Sequence, residues 1–143
     1  MRALLDVNVL VALMDNDHIH HQPALTWWRS ERDNGWASCP LTQNGFVRIM
    51  CQRDYPDRPT AAETIEQLRL QLGEPGHEFW PDDISIADGR LFDRSRILGP
   101  KQITDVYLLA LAVKKGGRLV TFDRGVPLAA VRGAEPQHLV MMG

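Results

Sequence analysis

The sequence predicts an α/β fold over residues 1–143, with three layers, α/β/α, around a central, mainly parallel sheet. Ala3-Leu4-Leu5 and Arg118-Leu119-Val120-Thr121-Phe122 are short apolar runs without the alternation of a half-exposed strand. Such runs suit strands covered on both faces. Helix-like segments fall between the strand-like ones, as a parallel sheet with helical crossovers requires. Thr104 to Lys115 is apolar nearly all round and ends at Gly116-Gly117, so it reads as a buried helix.

Each element has local reasons. A strand is expected at about 2–6, then a helix from about residue 8 or 9 to Met14, stopped by Asp15-Asn16-Asp17. His18, His20 and His21 form a solvated loop leading into Pro23, a good first-turn residue, and a helix runs on to Asn34-Gly35 with Ala24, Leu25 and Trp28 inward. Trp36 to Cys39 is a second strand, stopped by Pro40. Thr42 caps a helix from Gln43 to about Gln52. Residues 53–59 are a charged loop with two prolines. Thr60 and Glu63 match a capping box, and the helix behind them buries Ala61, Ile65, Leu68 and Leu72 before Gly73. Glu78-Phe79-Trp80 is a short strand, and residues 84–98 form a weak helix rich in arginine. Thr104 caps the long apolar helix, with Asp105 in its first turn and two lysines in its last. A strand at 118–122, a short helix at about 127–132 and a last strand from His138 to Met142 complete the chain.

Composition narrows the function. The chain has 143 residues, 44% hydrophobic and 24% charged, enough for one real core. No apolar run approaches the ~18–20 residues of a membrane span. An aspartate follows Ala-Leu-Leu too early for a secretory signal. The net charge of −2 supplies no overall positive field, so any nucleic-acid contact needs a local basic patch. Cys39 and Cys51 form neither a CxxC pair nor a disulfide framework, read as small buried hydrophobes, and fit a reducing cytoplasm.

Ligands of open parallel sheets bind beyond the carboxyl ends of the strands. Asp6 ends the first strand, Gln43 opens the helix after the second, Asp105 opens the apolar helix and Asp123 follows the strand 119–122. Singly, these acids serve turns or helix dipoles. Together on one rim they repel and raise one another's pKa unless a cation lies among them. All-oxygen donors suit a hard divalent ion, Mg²⁺ or Mn²⁺, and the chemistry open to it is phosphodiester hydrolysis. No Walker loop, GxGxxG or GxSxG elbow competes. A dehalogenase-type hydrolase needs a second aspartate where Asn8 stands.

The segments LLDVNVLVAL, CPLTQNGFVRI, ITDVYLLALAVKKGGRLVTFD and Phe79-Trp80-Pro81-Asp82-Asp83 resemble PIN-domain proteins, above all the VapC toxins of bacterial VapBC toxin–antitoxin pairs. The motifs fall in the family's order over nearly the whole chain. The resemblance implies a PIN fold, usually dimeric, acting as an Mg²⁺- or Mn²⁺-dependent endoribonuclease. It also implies a VapB-like antitoxin that blocks the site and tethers the pair to operator DNA. By motif, Asp6, Asp105 and Asp123 take the places of the family's acids. The family's second acid, usually a glutamate, is Gln43 here, which keeps an oxygen but loses a charge. That leaves three readings: an active natural variant, an RNA binder that cleaves poorly, or an inactivated form. The first is favoured, because three acids and water can hold one Mg²⁺.

Asn8 is expected near the metal shell or as a helix N-cap, and Thr121 at the rim or as an ordinary strand residue. Arg48 and Arg124 are candidate phosphate contacts, as is the segment carrying Arg90, Arg94, Arg96 and Lys101. The alternative for that segment is an exposed helix face. The histidines lack a partner cluster for zinc. Trp27, Trp28, Trp36 and Trp80 read mainly as packing residues.

Overall fold

A computed structural model describes residues 1–52 and 57–143. Five strands, β1 (Ala3–Leu5), β2 (Trp36–Ser38), β3 (His77–Phe79), β4 (Arg118–Thr121) and β5 (Leu139–Met141), form one sheet in the order β3-β2-β1-β4-β5. Every pairing is parallel, and the register sets Leu4 against Ala37 on one side and Leu119 on the other. Five α-helices accompany the sheet: α1 (Val7–Met14), α2 (His21–Glu31), α3 (Pro40–Met50), α4 (Ala61–Leu72) and α5 (Ile103–Lys114).

Period-two alternation divides the core into two halves. Leu4 and Leu119 face α5, packing with Leu108, Leu109, Leu111 and Trp80. Ala3, Leu5 and Val120 face the other way, onto Val9 and Leu10 of α1 and Phe46 of α3. The α/β/α layering expected from the apolar runs is therefore present. The chain builds outward from β1 to β3 on one side, then crosses to β4 and β5. The topological switch, where such sheets leave a crevice, lies between β1 and β4.

Several local expectations are corrected. Helix α1 begins at Val7 with Asp6 as N-cap, its carboxylate accepting from the Val7 amide, so Asn8 lies inside the helix and does not cap it. Helix α2 begins at His21, which is buried with Nδ1 2.7 Å from the Ala12 carbonyl and is no solvated loop residue. Helix α3 begins at Pro40, two residues ahead of Thr42. Thr42 Oγ1 instead accepts from the Cys39 amide (3.0 Å), and the distant Asp82 takes the Leu41 amide (3.0 Å). Thr104 does not cap α5, which emerges from a 3₁₀ turn at Pro100–Gln102. In α4 the inward stripe is Thr64, Leu68 and Leu72, while Ala61 and Ile65 are exposed. The capping box of Thr60 and Glu63 is present. Residues 84–98 hold only a 3₁₀ turn at Arg94–Arg96, and the short helix near 127–132 is a 3₁₀ turn at Leu128–Ala130. Part of the loop expected at 53–59 lies outside the described residues. Trp36 and Trp80 are core residues, whereas Cys51 is only half-buried. No helix among the described residues is long and apolar enough to cross a membrane.

Candidate active site

The crevice between β1 and β4 is where the acids meet. Asp6 stands one residue past β1, only 6% exposed. Its Oδ1 accepts from the Val7 amide (2.7 Å) and its Oδ2 from the Thr121 hydroxyl (2.7 Å). Thr121, the last residue of β4, also accepts from the Asp123 amide (3.0 Å) and from Asn8 Nδ2 (3.4 Å). A threonine hydroxyl has one donor and two acceptor positions, so Thr121 is fully used. Asn8 Oδ1 takes the Phe122 amide (3.3 Å). One hydroxyl thus binds the end of β1, the start of α1 and the loop after β4.

Asp105 stands half-buried in the first turn of α5, near enough to Asp6 and Asp123 for both to act on its carboxyl. Desolvation, then the neighbouring Asp6 and Asp123, push its pKa up to about 8. A helix N-terminus offers an acid ~0.3–1 kcal/mol, less than the ~1.4 kcal/mol that one pKa unit represents, so burial and repulsion win. Asp6 is also raised, chiefly by desolvation and against the pull of the Thr121 and Val7 hydrogen bonds. Asp123 is lowered, first by the Gly125 amide that donates to its Oδ1 (2.8 Å) and then by Asp105. Two of the three acids, Asp6 and Asp105, are therefore protonated more readily than an ordinary carboxyl.

Among the described residues, no group of three or more His, Cys, Asp or Glu is placed so that it could hold a metal ion. The donor set is all oxygen, which fits a hard divalent ion.

The other expected residues divide. Gln43, one turn into α3, makes no hydrogen bond to the acids. Its Nε2 donates to Ser38 Oγ (2.9 Å), the last residue of β2. Gly45 brings this helix against Val7, the residue after Asp6. Arg48 is exposed and lines a groove of about 440 Å³ between α3 and α4 with Gln43, Asn44 and Leu68. Arg124 is exposed beside Asp123, and among the described residues it has no ion pair. The arginine-rich segment forms a 3₁₀ turn at Arg94–Arg96 and no α-helix; in it Arg90 is held by Asp88 (2.9 Å) and Arg96 lies 4.0 Å from Asp93. His20 stacks on Phe122 at 4.7 Å.

Sequence reasoning undervalued Thr121 and gave no site role to Ser38. Their common signal was a hydroxyl at the carboxyl end of a buried strand. His77, 2.8 Å from Ser38 Oγ, had no signal at all.

The PIN domain family matches residues 3–133. The ribonuclease VapC44 of Mycobacterium tuberculosis (strain ATCC 25618 / H37Rv) is 51% identical over 142 residues, covering 99% of this chain and 100% of that protein. Among solved structures, VapBC2 from Rickettsia felis bound to a DNA fragment from its promoter aligns with a TM-score of 0.64 at 14% identity, over 100% of both chains. The sarcin–ricin-loop-cleaving toxin VapC20 of Mycobacterium tuberculosis aligns at 0.59 and 14% identity, over 86% of this chain and 91% of that one. At such identity these two structures speak to the fold.

Proposed function

The chain belongs to the PIN-domain family, among its VapC ribonucleases, and from that membership we propose a metal-dependent endoribonuclease, the toxin of a toxin–antitoxin pair, carried by one domain over residues 1–143. The observation that carries this reading is the meeting of Asp6, Asp105 and Asp123 at the switch point of the sheet. In it, these three acids hold Mg²⁺ or Mn²⁺. When bound, the cation lowers the pKa of its water and offsets charge on the scissile phosphate. The Thr121 hydroxyl keeps Asp6 in one orientation and Asn8 holds the chain after β4 in place. Asp105, whose pKa is raised, would have to lose its proton to hold a cation, so binding would strengthen with rising pH. Arg124 and Arg48 steer RNA phosphates, and Gln43 orients water at the rim. The partners are an RNA substrate, a VapB-like antitoxin, operator DNA reached through that antitoxin, and a second copy of the chain in a cytoplasmic dimer.

A second reading has one observation in its favour. The Gln43 amide nitrogen is committed to Ser38 and the family's usual negative charge is missing there. A catalytically weak module that binds RNA or antitoxin would look the same.

Cleavage of a structured RNA panel with Mg²⁺, Mn²⁺ or EDTA separates them, using wild type, Asp6→Asn and Gln43→Glu. The expected result is metal-dependent cutting by wild type, lost in Asp6→Asn with the fold intact. Full activity of Asp6→Asn would remove the proposed role of the acids. Silence from wild type with cutting by Gln43→Glu would establish the weak module.

A further inference from the structure

The loop between α1 and α2 lays a flat ring beside the acids. His20 rests on Phe122 with ring centroids 4.7 Å apart and planes 21° from parallel, and the His18 ring stands 5.7 Å from His20, tilted by 43°. Phe122 is half-buried and lies between Thr121 and Asp123, with its amide held by Asn8 Oδ1 (3.3 Å). Consecutive Cα atoms are ~3.8 Å apart, so the stack begins one residue's length from Asp123 and two from Arg124. His20, Asp123 and Arg124 are all exposed.

The loop pins these rings by its own hydrogen bonds. The His20 amide donates to His18 Nδ1 (3.0 Å), the His18 amide to the Asp15 carbonyl (3.1 Å) and the His21 amide to the His18 carbonyl (2.9 Å). His21 Nδ1 anchors the end of the loop, 2.7 Å from the Ala12 carbonyl. A surface ordered in this way has little freedom left to lose when a ligand arrives. Shielding Phe122 from water does not account for the residue chosen. Ile19 is the apolar side chain of this loop, yet it is 85% exposed while the imidazole takes the place on the phenyl ring. An imidazole makes a poor apolar cover and a good π face. Unpaired RNA bases stack on His and Phe rings, and such stacking accepts any base because every base has a π face.

We propose that His20, laid on Phe122, is the stacking platform for one unpaired base of the RNA, beside the phosphate that meets the acids. This rests on the reading of the acidic crevice as the ribonuclease site. Arg124, which has no ion pair among the described residues, supplies the positive charge for the RNA backbone next to the stacked base. A base seated on the ring fixes which phosphate of the strand lies at Asp6, Asp105 and Asp123. A base inside a duplex is already stacked on both faces, so the platform takes only a base that has left its helix. It contributes affinity and register, and leaves the choice among the four bases to other contacts.

The experiment titrates the full chain into an oligouridine carrying one central 2-aminopurine, whose fluorescence falls when it stacks. EDTA is present, so nothing is cut. Wild type, His20→Tyr and His20→Leu are compared, with thermal melts to show that all three are folded. Leucine covers Phe122 at least as well as imidazole but has no π face, whereas tyrosine keeps a ring. Wild type and His20→Tyr are expected to quench the probe. His20→Leu is expected to bind about tenfold more weakly and without the quench, within the range of one base–aromatic stack. Wild type that fails to bind or to quench overturns the proposal. So does a His20→Leu variant that quenches like wild type, because shielding alone then explains the ring. On the RNA panel, His20→Leu is expected to raise KM about tenfold. Quenching by wild type that cuts no RNA in Mg²⁺ or Mn²⁺ would sink the ribonuclease reading and leave the platform standing. Cutting by wild type with the same KM in His20→Leu would sink the platform alone.

Discussion

Thr121 shows how much one hydroxyl can hold. It donates to Asp6 and accepts from the Asp123 amide and the Asn8 side chain, so two stretches of chain more than a hundred residues apart in sequence are tied through it. Valine has nearly the same shape and none of these bonds. Thr121→Val is expected to destabilise the fold by about 1–3 kcal/mol, since it leaves buried polar groups unpaired. It is also expected to depress RNA cleavage more than stability, because Asp6 loses the donor that orients it. Urea unfolding and cleavage rate measured on the same preparation check this, and an active, equally stable variant would refute it.

Among the helices, α3 has the most demanding placement. Its N-terminus is closed by Asp82, reaching in from the loop after β3, which is why the Trp80-Pro81-Asp82-Asp83 segment matters structurally. The neighbouring Asp83 joins Lys114 and Lys115 at the far end of α5. At Gly45 a Cβ would lie 2.6 Å from Val7 Cγ2, so the glycine is what lets α3 approach α1 beside Asp6. Gly45→Ala is expected to cost about 1–3 kcal/mol by overpacking, despite alanine's better helix propensity. Val7→Ala added to it is expected to recover part of that loss. Thermal melts of both variants test the pair, and a stabilised single variant would show that the helices can separate freely.

Across the whole molecule, the acidic crevice couples folding to pH. The native state keeps a proton on Asp105 up to about pH 8, while an unfolded chain loses it near 3.8. That contribution to stability is complete below the unfolded value and is lost as pH rises through the folded one. The metal-free protein should therefore become less stable between about pH 4 and about pH 8, and Asp105→Asn should flatten the slope. Half-buried carboxyls such as Asp88 and Asp93 act oppositely, but only at more acidic pH, because hydrogen bonds to Arg90 and Ser95 lower them. Denaturation across that pH range, with and without Mg²⁺, is the measurement. A slope unchanged in Asp105→Asn would place the titration elsewhere.

Local patterns were sufficient for the alternation of strands and helices, the burial of α5, the placing of Asp6 and Asp123 after strands and that of Asp105 in the first turn of α5. Apolar continuity, helical periodicity and the position of a charge at the end of an apolar run are all short-range properties of the chain. Helix starts read less well. Pro40 opened its helix earlier than Thr42 suggested because the capping carboxylate came from Asp82, forty-one positions away. The exposed Ile65 likewise belied a periodicity that fits α4 equally well one residue over, and only packing against α3 chose Thr64 and Leu68. Only the tertiary structure decided that Thr121 serves Asp6, that Asp105 stands near two other acids, and that Gln43 turns to Ser38. Hydrogen-bond partners and the desolvation that shifts a pKa depend on which strands become neighbours. No local window of sequence contains that order.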